Sequence, residues 1–262
     1  MKVLTQEECN QEDVDVNEAC PSMTTYLLSD APNAPMIIVI PGGAYHHRAY
    51  HEGEPVAKWL NQAGYHACVL RYHVAPFHYP IQLQDGQYAI RYVRYHLPNW
   101  GISSQSKVGV LGFSAGGHLA AMLSTMFDDG IESPEDPIER QSSRPDFQIL
   151  CYPVITMGEY THEGSKQNLL GETQDASIIK QLSCENLVSD HTPPAFIWST
   201  AEDQAVSSMN SLLYVQALQK RSIPYDLHIY QEGRHGLGLA NDQHHTRTWK
   251  DACLDWMEHY IK

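Results

Sequence analysis

The sequence predicts an α/β protein built on a mainly parallel, twisted sheet with helices on both faces. Two observations carry that expectation. From about residue 36 onward, short apolar runs alternate with helical patterns, the rhythm of strands joined by helical crossovers. The first run, Met36-Ile37-Ile38-Val39-Ile40, is continuous rather than alternating, as a strand covered on both faces requires.

Pro41-Gly42-Gly43 stops that first strand. Glu54 to Gln62 reads as a helix with Val56, Ala57 and Leu60 on one side and Gly64 just beyond its end, a common helix stop. His66 to Leu70 is the next strand, and Asp85 to His96 a helix with Tyr88, Ala89, Tyr92 and Val93 at three-to-four spacing. Lys107 to Leu111 is a strand that runs into Gly112-Phe113-Ser114-Ala115-Gly116. Beyond it come strands at Phe147 to Tyr152, Ala195 to Thr200 and Leu227 to Tyr230, with helices at Ser207 to Lys220 and Thr246 to Tyr260. Two regions break the rhythm. Residues 1–35 are acidic and weakly patterned, with Met23 to Leu28 expected as an antiparallel edge strand and the rest as an arm. Residues 154–194 are polar, with a helical piece at Ala176 to Leu182, and are expected to form a small cap above the carboxyl ends of the strands. With no repeat and no linker, residues 1–262 are expected to form a single domain.

Composition narrows the partners. A net charge of −14 argues against nucleic acid and anionic membranes, which require cationic patches, and favours a neutral small molecule. No apolar run reaches the length of a membrane span. The opening residues Met1 to Glu8 lack the apolar core of a signal peptide, so a cytoplasmic location is expected. The six cysteines form no C-x-x-C, and Cys68 and Cys151 read as small core residues. Histidine pairs occur at His46-His47 and His244-His245, but there is no H-E-x-x-H and no His/Asp cluster at helical spacing; no metal is expected. The arm at 1–35 is available to shape a subunit interface, which makes a homo-oligomer one expectation.

The chemistry centres on Ser114. The run Gly112 to Gly116 reads G-x-S-x-G between a strand and a small-residue helix. Such a turn pushes the serine out of the sheet into a strained, exposed position. A serine hydroxyl is a poor nucleophile until a base takes its proton, and that base needs a carboxylate to orient it. His235 follows the last strand among Gly233, Gly236 and Gly238, and Asp203 follows the strand before it. If these strands are adjacent, the three side chains meet at one edge of the sheet. His118 is the rival base, but it lies on the helix after Ser114 and reads as packing; Glu202 and Asp190 are the rival acids. The developing oxyanion needs backbone N–H donors already aimed at it. Ala115, just after the nucleophile, supplies one, and the loop Pro41-Gly42-Gly43-Ala44-Tyr45 supplies Gly43 and Ala44.

These motifs resemble a bacterial branch of the hormone-sensitive-lipase-like esterases. Pro41 to Tyr45 is similar to the H-G-G-G loop of that group. The segments VLRYHVAP (Val69 to Pro76), Tyr79-Pro80, Asp85, GFSAGGHLAA (Gly112 to Ala121), AEDQAV (Ala201 to Val206) with Asn210-Ser211, and EGRHGLGLA (Glu232 to Ala240) extend the resemblance from about Met36 to the C-terminus. The branch comprises acetyl esterases, acetylxylan-esterase-like proteins and feruloyl or acetylxylan esterases. The resemblance implies the α/β-hydrolase fold, a Ser114–Asp203–His235 triad, an oxyanion hole at Gly43, Ala44 and Ala115, no cofactor, and hydrolysis of short acyl esters, often acetyl groups on sugars. The chain departs from the pattern at Pro41, in place of the usual histidine, and at Ala44, in place of the third glycine; both changes keep the backbone donors. Tyr45 and Tyr72, with Phe77 and Tyr79 near the expected mouth, are candidates to bind substrate by stacking on a sugar or feruloyl ring, against the plainer reading that they are packing residues. Other readings are a prolyl-oligopeptidase-like peptidase, a thioesterase, and an inactive hydrolase fold serving as a ligand receptor. The peptidases usually carry a propeller, for which no residues remain, and receptors typically lose a triad member.

Overall fold

The computed structural model of the protein describes residues 1–4, 20–173 and 175–261. Among these, the apolar runs form one eight-stranded sheet. Its strands are β1 (Lys2–Leu4), β2 (Ser22–Tyr26), β3 (Met36–Ile40), β4 (His66–Arg71), β5 (Val108–Phe113), β6 (Gln148–Cys151), β7 (Ala195–Thr200) and β8 (Tyr225–Tyr230). Their spatial order is β1-β2-β4-β3-β5-β6-β7-β8. From β4 to β8 every pairing is parallel, while β2 runs antiparallel to β4 and β1 parallel to β2. The strand expected over Met23 to Leu28 is therefore antiparallel but not the edge, because β1 lies outside it. The rest of the expected arm, residues 5–19, lies outside the described residues.

The helices are α1 (Glu54–Gln62), α2 (Ile81–His96), α3 (Ser114–Thr125), α4 (Glu163–Leu170), α5 (Ala176–Gln181), α6 (Met209–Lys220) and α7 (Trp249–Tyr260). α2 begins four residues before the expected Asp85, directly after Pro80 at its N-cap; a helix start has no use for the N–H that proline lacks. The closing helix is preceded by a 3-10 turn at Thr246–Thr248. No helix among the described residues is long and apolar enough to cross a membrane.

The continuous apolar strands are explained by cover on both faces. Alternate side chains of a strand point to opposite sides. Met36, Ile38 and Ile40 join a core with Ile90 and Val93 of α2, Leu119 and Met122 of α3, and Tyr214 and Leu218 of α6. Ile37 and Val39 join a second core with Val56 and Leu60 of α1 and Trp249 and Trp256 of α7. α3 is buried along almost its whole length, from Ser114 to Ser124, which its small and apolar residues permit.

Residues 154–194 leave the sheet after β6 and carry α4 and α5 before returning at β7. They are less polar in effect than their composition suggests. Val154, Ile155, Met157, Leu169, Leu170, Leu182, Cys184 and Val188 are buried in the same core as α3. These residues of the segment thus pack into the body of the protein.

One close contact in the sheet is easily tested. A Cβ on Gly109 of β5 would stand 2.3 Å from the Phe147 ring, inside any tolerable separation. Gly109→Ala is expected to lower stability by roughly 1–3 kcal/mol, the usual cost of overpacking a core. Urea denaturation should show Phe147→Leu recovering part of that loss in the Gly109→Ala background.

Candidate active site

The residues singled out from the sequence gather at the carboxyl ends of the strands, where ligands of open α/β sheets bind. Ser114 directly follows β5 and opens α3. Its φ of +53° is the left-handed region that a non-glycine residue adopts only under constraint. The flanking glycines explain how the turn closes. A Cβ on Gly112 would lie 2.2 Å from the Gly116 carbonyl oxygen, and one on Gly116 would lie 2.2 Å from the Ile40 oxygen and 2.5 Å from the Pro41 oxygen. Backbone therefore packs directly on backbone, within the turn and against the end of β3.

Ser114 Oγ is 2.7 Å from His235 Nε2, and His235 Nδ1 is 2.6 Å from Asp203 Oδ2. A carboxylate oxygen only accepts, so Nδ1 carries the ring proton and Nε2 is left to accept from the serine hydroxyl. Asp203 Oδ1 accepts from the N–H groups of Ala205 and Val206, both at 2.9 Å. The Asp203 side chain is almost wholly buried, and its neighbours hold it in one orientation. The three strands are not all neighbours as expected: β6 stands between β5 and β7. The long loop after β8 folds back across the strand ends to bring His235 to Ser114. It is clamped there by the end of β7 and the loop that follows. Thr200 Oγ1 donates to the Gly233 carbonyl at 2.7 Å, and the Gly233 N–H donates to Glu202 Oε2 at 3.2 Å.

The rival residues are accounted for. Glu202 holds the histidine loop rather than the histidine. Asp190 is exposed and pairs with Arg221 at 3.4 Å. His118 is fully buried, with Nε2 2.7 Å from the Leu182 carbonyl and Nδ1 2.8 Å from Tyr45 Oη. A carbonyl accepts only, so Nε2 donates to Leu182 and Nδ1 accepts from the tyrosine hydroxyl. Burial holds its pKa down to about 4, and its ring is neutral and structural.

The loop after β3 is wound through three consecutive positive φ values, 123° at Gly43, 54° at Ala44 and 56° at Tyr45. Its carbonyls are tied back one after another. Pro41 accepts from Tyr72 Oη (2.8 Å) and Gly42 from the Ala49 N–H (2.9 Å). Gly43 accepts from the N–H groups of His46 and His47, Ala44 from Asn168 Nδ2 (2.9 Å) and Tyr45 from the Ala75 N–H (2.8 Å). The N–H groups of Gly43, Ala44 and Tyr45 take no acceptor among the described residues. The Ala115 N–H lies in the first turn of α3, where helix N–H groups have no partner within the helix. Unpaired donors thus stand in the turn that carries Ser114 and in the loop packed against it, the kind of groups that stabilise an oxyanion.

Tyr45 and Tyr72, candidates for substrate contact from the sequence, take a different place. Both rings are 0% exposed and pack edge to face with centroids 6.0 Å apart. Both hydroxyls are engaged within the protein, so neither offers a ring face to a ligand; they brace the loop. Phe77, partly exposed, lies against His73 with ring centroids 4.6 Å apart. No three His, Cys, Asp or Glu side chains gather at metal-binding spacing among the described residues.

Four further residues at the site carried no local signal. Asn168 of α4 holds Ala44. Glu52 accepts the Gly42 N–H at 2.8 Å. Tyr152, just after β6, packs edge to face on His235 with ring centroids 5.1 Å apart. His162 caps α4 by accepting the Ser165 N–H on Nδ1. Its pKa is lowered, first by burial and then by the nearby His235.

The chain matches the BD-FAE family model over residues 26–218. It is 36% identical over 244 residues to the acetylxylan esterase of Xylanibacter ruminicola, covering 90% of this chain and 47% of that one. It is 38% identical over 228 residues to endo-1,4-beta-xylanase B of Butyrivibrio fibrisolvens, covering 85% of this chain and 35% of that one. The chain thus spans less than half the length of either curated relative. Among solved structures it resembles the acetyl ester-xyloside bifunctional hydrolase of Caldicellulosiruptor lactoaceticus. The TM-score there is 0.90 at 47% identity, covering 97% of this chain and 93% of that one.

The buried His118 makes stability depend on pH. Its folded pKa of about 4 lies below the ordinary histidine value of 6.5, so between those limits the unfolded chain binds the extra proton. Stability is then unaffected above pH 6.5, falls as pH drops through this window, and levels off below it, with a full loss of roughly 3 kcal/mol. Urea midpoints measured from pH 7 to pH 4 should fall less steeply in His118→Gln than in the parent.

Proposed function

This chain belongs to the BD-FAE family, an α/β-hydrolase family, and on that premise we propose that it is a serine carboxylesterase that removes short acyl groups, acetyl above all, from sugar-bearing substrates such as acetylated xylo-oligosaccharides. The observation that carries this reading is the hydrogen-bonded chain from Ser114 through His235 to Asp203, flanked by unpaired backbone donors. The acetylxylan esterase and the acetyl ester-xyloside hydrolase among its relatives support the choice of acyl group and sugar.

In this reading His235 Nε2 takes the Ser114 proton as Oγ attacks the ester carbonyl carbon. The carbonyl oxygen becomes an oxyanion held by the N–H groups of Gly43, Ala44 and Ala115. Asp203 keeps the imidazole in its working tautomer and stabilises the imidazolium. The tetrahedral centre collapses, the C–O bond to the alcohol breaks, and His235 returns its proton to the leaving oxygen. Water then attacks the acyl-serine with His235 again as base, releasing the acid and restoring Ser114.

Ser114→Ala is expected to abolish turnover of p-nitrophenyl acetate and of acetylated xylo-oligosaccharides. Asp203→Asn should lower kcat by about 10⁴-fold through the wrong imidazole tautomer. Rates that rise from acetate to decanoate esters would overturn the acyl preference, and retained activity in Ser114→Ala would overturn the mechanism.

A further inference from the structure

We infer that Glu52 and Tyr152 act as a positioning couple that locks the oxyanion loop to the histidine loop. The inference rests on the reading of Ser114 as nucleophile and deepens it. Glu52 is 2% exposed, and both its carboxylate oxygens are engaged. Oε2 accepts the Gly42 N–H at 2.8 Å, and Oε1 accepts the Tyr152 hydroxyl at 2.6 Å. The same hydroxyl accepts the Gly238 N–H at 2.8 Å. Gly42 opens the turn that presents Gly43 and Ala44, and Gly238 lies in the loop that carries His235. One unbroken chain of hydrogen bonds therefore joins the donors for the oxyanion to the support of the base.

Three features tie this chain to function rather than to packing alone. A buried carboxylate is a poor way to stabilise a core, since an apolar side chain of similar size is often as good or better. Glu52 is also wedged where displacement would be felt at the nucleophile: a Cβ on Gly42 would meet Glu52 Oε2 at 2.7 Å and Ser114 Cβ at 2.9 Å. Tyr152 itself is held at a φ of +36°, an uncommon conformation for a tyrosine that aims its hydroxyl between the two loops while its ring braces His235. Burial and the Glu52 carboxylate push its pKa well up, so the hydroxyl keeps its proton and donates. His51, beside Glu52, reaches the same loop from the surface, with Nε2 3.0 Å from the Gly236 carbonyl.

The test uses Tyr152→Phe, which removes one oxygen atom and keeps the ring, and Glu52→Gln, which cannot accept at both ends. In folded protein of parental circular dichroism, each should lower kcat for p-nitrophenyl acetate by about 10–100-fold, somewhat less than outright loss of an oxyanion donor. KM should stay within about twofold, and the inhibition constant of phenylboronic acid, a mimic of the tetrahedral adduct, should rise by the same factor as kcat falls. The double variant should be no slower than the slower single, since both substitutions break one chain. Hydrogen exchange at the peptide spanning Gly42 to Ala44 should quicken in Tyr152→Phe. Parental kcat in a folded variant, a rise in KM alone, fully additive losses, or unchanged exchange at Gly42 would each overturn the inference. Absence of Ser114-dependent ester hydrolysis in the parent would overturn the proposed function instead; the exchange measurement needs no turnover and still decides whether the loops are coupled.

Discussion

The contact between the turn at Ser114 and the end of β3 is the constraint on which the site depends. Gly112 lies against the Gly116 carbonyl, and Gly116 against the carbonyls of Ile40 and Pro41, with no room for a single added carbon. This approach does two things at once. It forces Ser114 into a positive φ that lifts its side chain off the sheet. It also sets the loop after β3 beside the first turn of α3, so that unpaired donors from two distant segments lie close to Ser114.

A strained loop persists only where its surroundings over-determine it. Here the carbonyls do that work. From Pro41 to Tyr45 each is bonded to a donor: Ala49, His46 and His47 from the same loop, and Tyr72, Asn168 and Ala75 from farther along the chain. With the carbonyls held and the Gly42 N–H bonded to Glu52, the N–H groups of Gly43, Ala44 and Tyr45 are left fixed without an acceptor among the described residues. The buried tyrosines and His118 extend the same logic inward. Tyr45 lies in that loop, and its hydroxyl reaches His118 on α3, which in turn reaches Leu182 in the segment between β6 and β7. Buried polar groups of this kind are costly when unpaired and rigidifying when paired.

Legibility in the sequence followed how local each signal was. Ser114 and His235 stood out because their glycines are neighbours in sequence and their strands end beside them. Asp203 was legible for the second reason alone. Glu52 had nothing local to mark it, since its partners come from Gly42 on one side and Tyr152 on the other. Tyr45 and Tyr72 were placed at the mouth because they follow strand ends; periodicity does not say which way a loop side chain turns, and both turn inward. The 154–194 segment read as polar cover because its apolar residues are irregularly spaced, yet Ile155, Leu169, Leu182 and Cys184 all enter the core.

The sequence by itself determined the order of the elements, the two-sided burial of the strands and the segments that carry Ser114, Asp203 and His235. Those properties arise from residues a few positions apart, through side-chain alternation, helical spacing and the backbone freedom of glycine. Only the tertiary structure decided that β6 separates the strand of Ser114 from those of Asp203 and His235, that the histidine loop folds back over it, and that Glu52 and Tyr152 bridge the loops. The reason is physical: hydrogen bonds and buried contacts are short-ranged in space and indifferent to distance along the chain. Their partners are settled when the sheet assembles and brings the ends of its strands together.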